Sequence, residues 1–151
     1  MEQYRFFWKN KLSNWNIAQF TVDGIIFNCG EQYMMYQKAI LFKDFETASE
    51  ILEIENPKDI KDLGRKVKNF NSAIWDKHKY DLVKKGLKER FLQVDNVREL
   101  LLKDKGKKFV EASPFDRIWG IGFDEEHAMD NIDNWGENLL GKILTEISNE
   151  I

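Results

Sequence analysis

The spacing of hydrophobic positions along this chain is mainly that of α-helices. From Ser72 to Gln93 apolar residues recur broadly every three or four positions, which predicts the longest helix of the protein. Gly86 interrupts that helix at a cost of about 1 kcal/mol relative to alanine, so we expect a kink or a close contact there. The same spacing and the usual start and stop residues predict further helices over 30–42, 45–54, 57–67, 96–103 and 135–151.

A few short strands accompany these helices. Residues 4–8 and 107–112 have the composition of strands, and 20–27 predicts a β-hairpin that turns at Asp23-Gly24. The glycine- and acid-rich stretch 117–134 predicts an ordered loop. Since the chain carries no repeat, low-complexity stretch or linker, we predict one mainly α domain over residues 1–151 with a few short β-strands.

Composition narrows the class of protein. A chain of 151 residues with 42% hydrophobic and 13% aromatic residues can bury a core and does not have the composition of a disordered chain. No apolar run approaches the roughly 18–20 residues of a membrane span, and the first ten residues do not resemble a signal peptide. The one cysteine, Cys29, cannot form an internal disulfide. We therefore expect a cytoplasmic protein with no membrane partner.

Charge is unevenly distributed around a net value of −3. Residues 58–90 hold eleven Lys or Arg against five Asp or Glu, whereas residues 121–151 hold one Lys against eight Asp or Glu. This pattern is typical of solvated helix faces, but it also fits a local basic surface for phosphates. A protein that coats DNA generally would be basic overall, so that class is disfavoured.

The segment GEQYMMYQKA, from Gly30 to Ala39, carries the first candidate site. Glu31 and Lys38 are seven residues apart, which places them on nearly the same side of a helix and roughly 10 Å apart along its axis. Met34 and Met35 lie between them. A carboxylate and an amine on an apolar face are costly to bury unless they pair or take part in chemistry. Taken alone, the commoner roles are a helix-start carboxylate and a surface lysine.

Two further segments carry candidate chemistry. In EASPFDRIWGIG, residues 111–122, Asp116 and Trp119 precede Gly120, which permits close approach of the backbone to a ligand, and the indole suits stacking on a heterocycle. The alternative is a turn network without a ligand. In WGENLLGK, residues 135–142, Asn138 opens a helix whose free N–H groups favour anions, or it simply caps that helix.

Commoner catalytic signatures are absent from the sequence. Two histidines and one cysteine, far apart, do not make a convincing zinc site. There is no dinucleotide fingerprint and no P-loop, and Ser113 has no evident histidine partner. We expect no metal and no cofactor.

Several segments, in one order, resemble the NADAR domains, also called YbiA-like proteins. They are LSNW, GEQYMMYQKA, KDLGRKVKNF, a tryptophan-led helix that ends in Arg90-Phe91, EASPFDRIWGIG and WGENLLGKIL. The resemblance runs from about Phe6 to Ile147. It implies a YbiA-like orthogonal helical domain with small β elements, and hydrolysis of an N-glycosidic bond between a ribose and a nitrogen base.

Three functional readings follow from the resemblance. The first is removal of ADP-ribose from guanine in nucleic acid, often opposing an ADP-ribosyltransferase toxin as partner. The second is hydrolysis of phosphorylated ribosylamino-pyrimidines, the early riboflavin intermediates. The third is a catalytically silent module that binds a nucleotide or a toxin. Members tied to the riboflavin intermediates resemble WGDG where this chain has Ile121 in place of the acid, and Glu137 replaces a more usual glutamine.

The resemblance, together with the chemistry of breaking a bond between ribose and a base, gives roles to individual residues. Glu31 would act near the anomeric carbon, and Lys38 would be either a cationic anchor or, if neutral, a nucleophile that forms a Schiff base. Arg65 would meet phosphates. The full set of predicted site residues is Glu31, Lys38 and Asp116 as catalytic groups, with Asn14, Arg65, Trp75, Trp119, Gly120 and Asn138 binding substrate.

Overall fold

The computed structural model describes residues 2–151, which fall into two compact units. One unit combines the residues up to 13 with residues 95–151, and the other is residues 14–94. The expected single domain over residues 1–151 stays a prediction.

Helices dominate both units, which confirms the mainly α class with a few short strands. No helix within residues 2–151 is both long and apolar enough to cross a membrane. The helices are α1 Gly30–Leu41, α2 Phe45–Leu52, α3 Pro57–Gly64, α4 Ser72–Gln93, α5 Asp95–Lys103, α6 Glu125–Ala128, a 3-10 helix Met129–Asn134 and α7 Leu139–Glu150; the strands are β1 Tyr4–Phe7, β2 Phe20–Val22, β3 Ile25–Phe27 and β4 Lys108–Glu111.

The hairpin of residues 14–94 forms as the sequence predicts. Strands β2 and β3 pair antiparallel, with Phe20 opposite Phe27. Asp23 and Gly24 both have positive φ, 51° and 82°, which is the backbone of a two-residue turn that matches strand twist. The buried rings of Phe20 and Phe27 pack on Tyr33 of α1, and this cluster fixes the hairpin on the helix.

Helices α1 and α4 run antiparallel at a very close approach. The ring of Tyr33 occupies the space that a Cβ at Gly86 would need, and its hydroxyl donates to Leu82 O at 2.8 Å. One turn earlier on α1, Gly30 lies against Leu87. The predicted close contact at Gly86 is therefore confirmed, and α4 continues through it as one helix.

Short helices α2 and α3 pack on the other side of α1. Gln32 ties α1 to the end of α2, because its Nε2 donates to Ile51 O at 3.0 Å and to Ile54 O at 3.1 Å. Helix α3 begins at Pro57 as predicted but ends at Gly64, three residues earlier than expected. The side chain of Met35 occupies the space of a Cβ at Gly64, so the last turn of α3 meets α1 through a glycine.

The second unit is built on a parallel pair of strands. Tyr4 of β1 pairs with Lys108 of β4, and α7 packs on β4. Val110 of β4 is buried in a small core with Ile121 and Ala128. Consecutive antiparallel strands need only a turn, but parallel strands need a long connection, and here residues 8–107 lie between the two.

Two expectations for this unit are wrong in detail. The stretch 117–134 contains helix α6 and a 3-10 helix, because Asp124 caps a helix start by accepting from His127 N at 3.0 Å. Helix α7 begins at Leu139 and not at residue 135. Asn138 adopts left-handed backbone angles, φ 52° and ψ 42°, which an α-helix cannot include.

We predict that Gly86→Ala destabilises the protein by about 1–3 kcal/mol, although alanine favours helices by about 1 kcal/mol over glycine. The added methyl meets the Tyr33 ring, which its hydroxyl bond to Leu82 O and two phenylalanine rings hold in place. Urea unfolding measures the change, and Lys77→Ala on the exposed surface of the same helix is the control. A Gly86→Ala protein as stable as the wild type would contradict the close packing.

Candidate active site

Glu31 and Lys38 lie on α1 within residues 14–94. Glu31 is 4% exposed, and its backbone N–H donates to Asn14 O at 2.9 Å. Lys38 is half-buried, and its Nζ lies 4.6 Å from the centroid of the Phe70 ring. The methionines between them, Met34 and Met35, are buried as well. The first turns of α1 therefore form a nearly dry surface that carries the acid, and the amine lies half-buried in the last turn of the same helix.

The protonation of Lys38 results from opposing causes. Burial is the largest, and it lowers the pKa of the ammonium group because the charged form loses hydration. The charge of Glu31 raises this pKa, and the charge of Arg65 lowers it further. The net direction is downward, so the neutral amine forms at a lower pH than in a free lysine.

Asn14 lies at the N-terminal end of α1. Its side chain is packed over Gly30, where a Cβ would come within 2.5 Å of Asn14 Oδ1. The residue is 7% exposed, and among residues 2–151 no group donates a hydrogen bond to Oδ1. A buried acceptor left in that state costs about 1–3 kcal/mol. A hydroxyl or amide donor of a ligand would therefore gain by reaching it.

Arg65 and Trp75 belong to the same unit. Arg65 caps the C-terminus of α3, and its exposed guanidinium is only 3.7 Å from Asp62 Oδ1, a loose ion pair that leaves it able to bind an anion. Trp75 is in the first turn of α4 and is 8% exposed. One turn later, the buried Lys79 pairs with Asp76 at 2.8 Å.

Asp116 and Gly120 shape a loop in the other unit. Asp116 Oδ1 accepts hydrogen bonds from the backbone N–H groups of Ile118 and Trp119, each at 2.9 Å. Gly120 lies so close to β4 that a Cβ there would come within 2.8 Å of Glu111 O. Trp119 is partly buried in the loop between them. The turn network that the sequence allowed is present, and it uses one oxygen of the Asp116 carboxylate.

This loop is bound to the start of α7 by an unbroken run of backbone hydrogen bonds. Five consecutive N–H groups, 136–140, all donate to carbonyls of residues 117–121, at 2.8–3.1 Å. Those of Leu139 and Leu140, the first residues of α7, reach Ile118 O and Trp119 O. The prediction of free N–H groups at this helix start is therefore wrong for Leu139 and Leu140. These two N–H groups do not form an anion site.

The Asn138 side chain takes the place of a further strand beside β4. Its Oδ1 accepts from Glu111 N at 2.9 Å, and its Nδ2 donates to Phe109 O at 3.1 Å. These are two of the backbone groups on the edge of β4 that faces away from β1, and the carboxamide satisfies both. It does not cap α7. Its predicted substrate contact stays a prediction.

The predicted site residues thus divide between the two units. Residues 14–94 hold Asn14, Glu31, Lys38, Arg65 and Trp75, and the other unit holds Asp116, Trp119, Gly120 and Asn138. The structure links Asn14 to Glu31 through a hydrogen bond, and links Lys38 to Glu31 and Arg65 through their charges. No group of three or more His, Cys, Asp or Glu in the described part of the chain is placed to hold a metal ion.

Sequence reasoning missed two residues near α1. Phe70 lies under the Lys38 ammonium, and its place at the end of KDLGRKVKNF was the available signal. Arg90 is completely buried near Cys29, and burial lowers the pKa of Arg90 to about 10 and raises the pKa of the Cys29 thiol to about 11. Cys29 caps α1, its Sγ accepting from Gln32 N at 3.4 Å.

Known proteins are similar to this chain in sequence and in fold. The family model described as NADAR domain matches residues 6–151. An N-glycosidase of Acanthamoeba polyphaga mimivirus is 48% identical over 122 residues, which cover 80% of this chain and 72% of that protein. An N-glycosidase of Nostoc punctiforme is 31% identical over 121 residues, with the same coverage of 80% and 72%. The NMR structure of E. coli YbiA is 26% identical and superposes with a TM-score of 0.79 over 99% of this chain and 86% of that one.

We predict that Asn138 substitutions separate hydrogen bonding from backbone strain. Asn138→Gly keeps the left-handed backbone accessible but leaves two strand groups without partners, and we expect a loss of about 2 kcal/mol or more. Asn138→Ala adds about 1 kcal/mol of strain. Urea unfolding measures both, with the exposed Glu137→Ala as control. Asn138→Gly with wild-type stability would show that the strand contacts contribute nothing.

Proposed function

This chain belongs to the NADAR domain family and is an N-glycosyl hydrolase, and we propose that its substrate is ADP-ribose attached to guanine bases in nucleic acid. The observation that carries the proposal is the buried Glu31 carboxylate on the same helix as an amine whose pKa burial lowers. A lysine whose pKa is shifted by burial beside a charge partner is characteristic of catalytic sites. The proposed reaction reverses the product of an ADP-ribosyltransferase toxin.

Glu31 supplies the carboxylate that the reaction needs. Breaking the bond between C1′ of ribose and the base nitrogen leaves positive charge on C1′, which a carboxylate stabilises. In the direct route a water attacks C1′, its proton passes to Glu31, and the base departs with the bonding electrons and takes up a proton. Asn14 Oδ1, buried and next to the Glu31 backbone, is suited to accept a ribose hydroxyl.

Lys38 offers a second route. As a neutral amine it would attack C1′, and the base would leave with the bonding electrons and take up a proton. The ribose ring would then open to a Schiff base between C1′ and Lys38, which water would later hydrolyse. The lowered pKa supports this route, whereas the Phe70 ring under the ammonium favours the charged form. In the direct route a charged Lys38 would hold a hydroxyl or phosphate of the substrate.

The riboflavin intermediates are the second candidate substrates, and Ile121 weighs against them. Ile121 is completely buried and packs in the core with Val110 and Ala128. The acid that riboflavin-linked members carry at this point would be costly in such apolar surroundings. Asp116, Trp119 and Gly120 keep their predicted roles in catalysis and binding as part of the proposal.

We predict that the wild-type protein releases ADP-ribose from a guanine-ADP-ribosylated oligonucleotide, and that Glu31→Gln slows release at least 100-fold. Loss of the adduct is followed by mass spectrometry, and the exposed Glu46→Gln on α2 is the control. Glu31→Gln that keeps turnover would contradict the catalytic role of Glu31, and a wild-type protein that protects cells without releasing ADP-ribose would support the catalytically silent module. Turnover confined to a phosphorylated ribosylamino-pyrimidine would support the riboflavin reading instead.

A second prediction concerns Lys38. If its neutral amine is the nucleophile, kcat rises with pH as the ammonium loses its proton, and the midpoint of the rise lies below pH 10.5 because the pKa of Lys38 is lowered from that value. Borohydride treatment during turnover then traps an adduct, which Lys38→Arg abolishes because arginine stays charged. Full turnover without an adduct would assign Lys38 the anchoring role.

A further inference from the structure

Two exposed aromatic rings within residues 14–94 carry a lysine ammonium over their faces. Trp15 and Phe70 are each 44% exposed. Lys61 Nζ lies 5.9 Å from the Trp15 ring, and Lys38 Nζ lies 4.6 Å from the Phe70 ring. Each pair places an aromatic ring and a cation together at the surface, where both are within reach of a ligand. Phe70 already belongs to the surroundings of Lys38, but Trp15 has no role in the proposed reaction.

One turn of α3 connects Trp15 to the surroundings of Lys38. Arg65 follows Lys61 by four residues and donates its backbone N–H to Lys61 O at 3.2 Å, so the two side chains leave the same side of the helix end, about 6 Å apart along the axis. Lys61 reaches Trp15, and the charge of Arg65 lowers the pKa of Lys38. Trp15 also follows directly on Asn14, whose carbonyl binds Glu31 N.

The charge around this connection has one sign. Residues 61–68 contain four Lys or Arg against one acid, Asp62, in a protein with a net charge of −3. Lys66 and Lys68 are exposed together with Arg65. A basic segment beside an exposed indole has the two elements by which proteins bind unpaired nucleic acid, namely stacking on bases and contact with the backbone phosphates.

We propose that Trp15 and Lys61 form a platform that binds the nucleotide next to the modified guanosine in a single-stranded nucleic acid. The indole stacks on the neighbouring base, and the Lys61 ammonium contacts the phosphate between the two nucleotides. This inference rests on the proposed function and deepens it, because it makes a polynucleotide, and not a free nucleoside, the preferred substrate. DNA and RNA both contain the base and the phosphate that the platform would bind.

Binding to an unmodified oligonucleotide tests the platform without using turnover. Fluorescence anisotropy of a labelled twelve-residue single strand, as DNA and as RNA, gives the dissociation constant for the full chain. We expect Trp15→Ala to weaken binding about 5- to 150-fold and Trp15→Phe to retain most of it, since any aromatic ring can stack. Lys61→Gln should reduce the slope of binding against salt concentration by about one unit. Phe45→Ala is the matched control, because Phe45 is 59% exposed on α2.

Turnover gives an independent measurement. The ratio of kcat/KM on an ADP-ribosylated oligonucleotide to that on free ADP-ribosylated guanosine should fall about tenfold or more in Trp15→Ala, and it should be restored largely in Trp15→Phe. Circular dichroism and thermal unfolding of each variant exclude misfolding as the cause of a loss.

Three results would overturn the platform. They are equal oligonucleotide affinity in Trp15→Ala and wild type, binding of duplex as tight as that of single strand, and an unchanged salt dependence of binding in Lys61→Gln. If neither modified substrate is cleaved while Trp15→Ala still weakens binding, the platform stands and the proposed function fails. Capture of a protein at Trp15 in place of nucleic acid would likewise contradict the inference.

Discussion

Burial of the first turns of α1 is the constraint on which the candidate site depends. Every residue from Gly30 to Met35 is buried, because the hairpin, α2, α3 and α4 all contact this one helix. A helix enclosed to this extent has no solvated face for a carboxylate, yet it carries Glu31. Charge in such a place persists only where neighbouring groups stabilise it, and the same dry surroundings shift the protonation of Lys38.

A different constraint acts in the other unit, where the segments 111–122 and 135–142 are joined into one structure. The run of hydrogen bonds between residues 117–121 and 136–140 leaves no room for independent movement of the loop and the start of α7. Gly136 and Gly141 allow this, since a Cβ at either position would overlap backbone atoms of Arg117 or Phe109. Asn138 completes the arrangement by satisfying the edge of β4.

Local signals predicted most of the fold. Helix α4 has the predicted bounds, Ser72 to Gln93, because its apolar spacing is long and Asn71 caps its start. The start of α7 was misplaced because residues 135–138 have helix-compatible composition, while the left-handed backbone of Asn138 is imposed by strand contacts far away in sequence. Tertiary contacts of this kind override local propensity and leave no local pattern.

The site was predictable only in part for a related reason. A seven-residue interval was enough to single out Glu31 and Lys38, since helix geometry is a local property. The direction of the pKa shift of Lys38 was not predictable from the sequence. It depends on how strongly burial, Glu31 and Arg65 each act on the ammonium, and these strengths follow from how α1 and α3 pack. The motif GEQYMMYQKA does not by itself separate the candidate catalytic residues from structural ones. Gln32 and Tyr33, which belong to the same motif, hold helices in place.

The opposing effects on the pKa of Lys38 also connect substrate binding to which of the two catalytic routes is followed. Arg65 and burial lower the pKa of Lys38, whereas Glu31 raises it. A phosphate bound at Arg65 would cancel the charge of that guanidinium and so remove one of the two lowering causes. Burial, the largest cause, would then be opposed by Glu31 with no help from Arg65, so the pKa of Lys38 would rise toward its ordinary value. A substrate whose phosphates reach Arg65 therefore favours the charged, anchoring lysine, and a substrate that leaves Arg65 unbound favours the nucleophile.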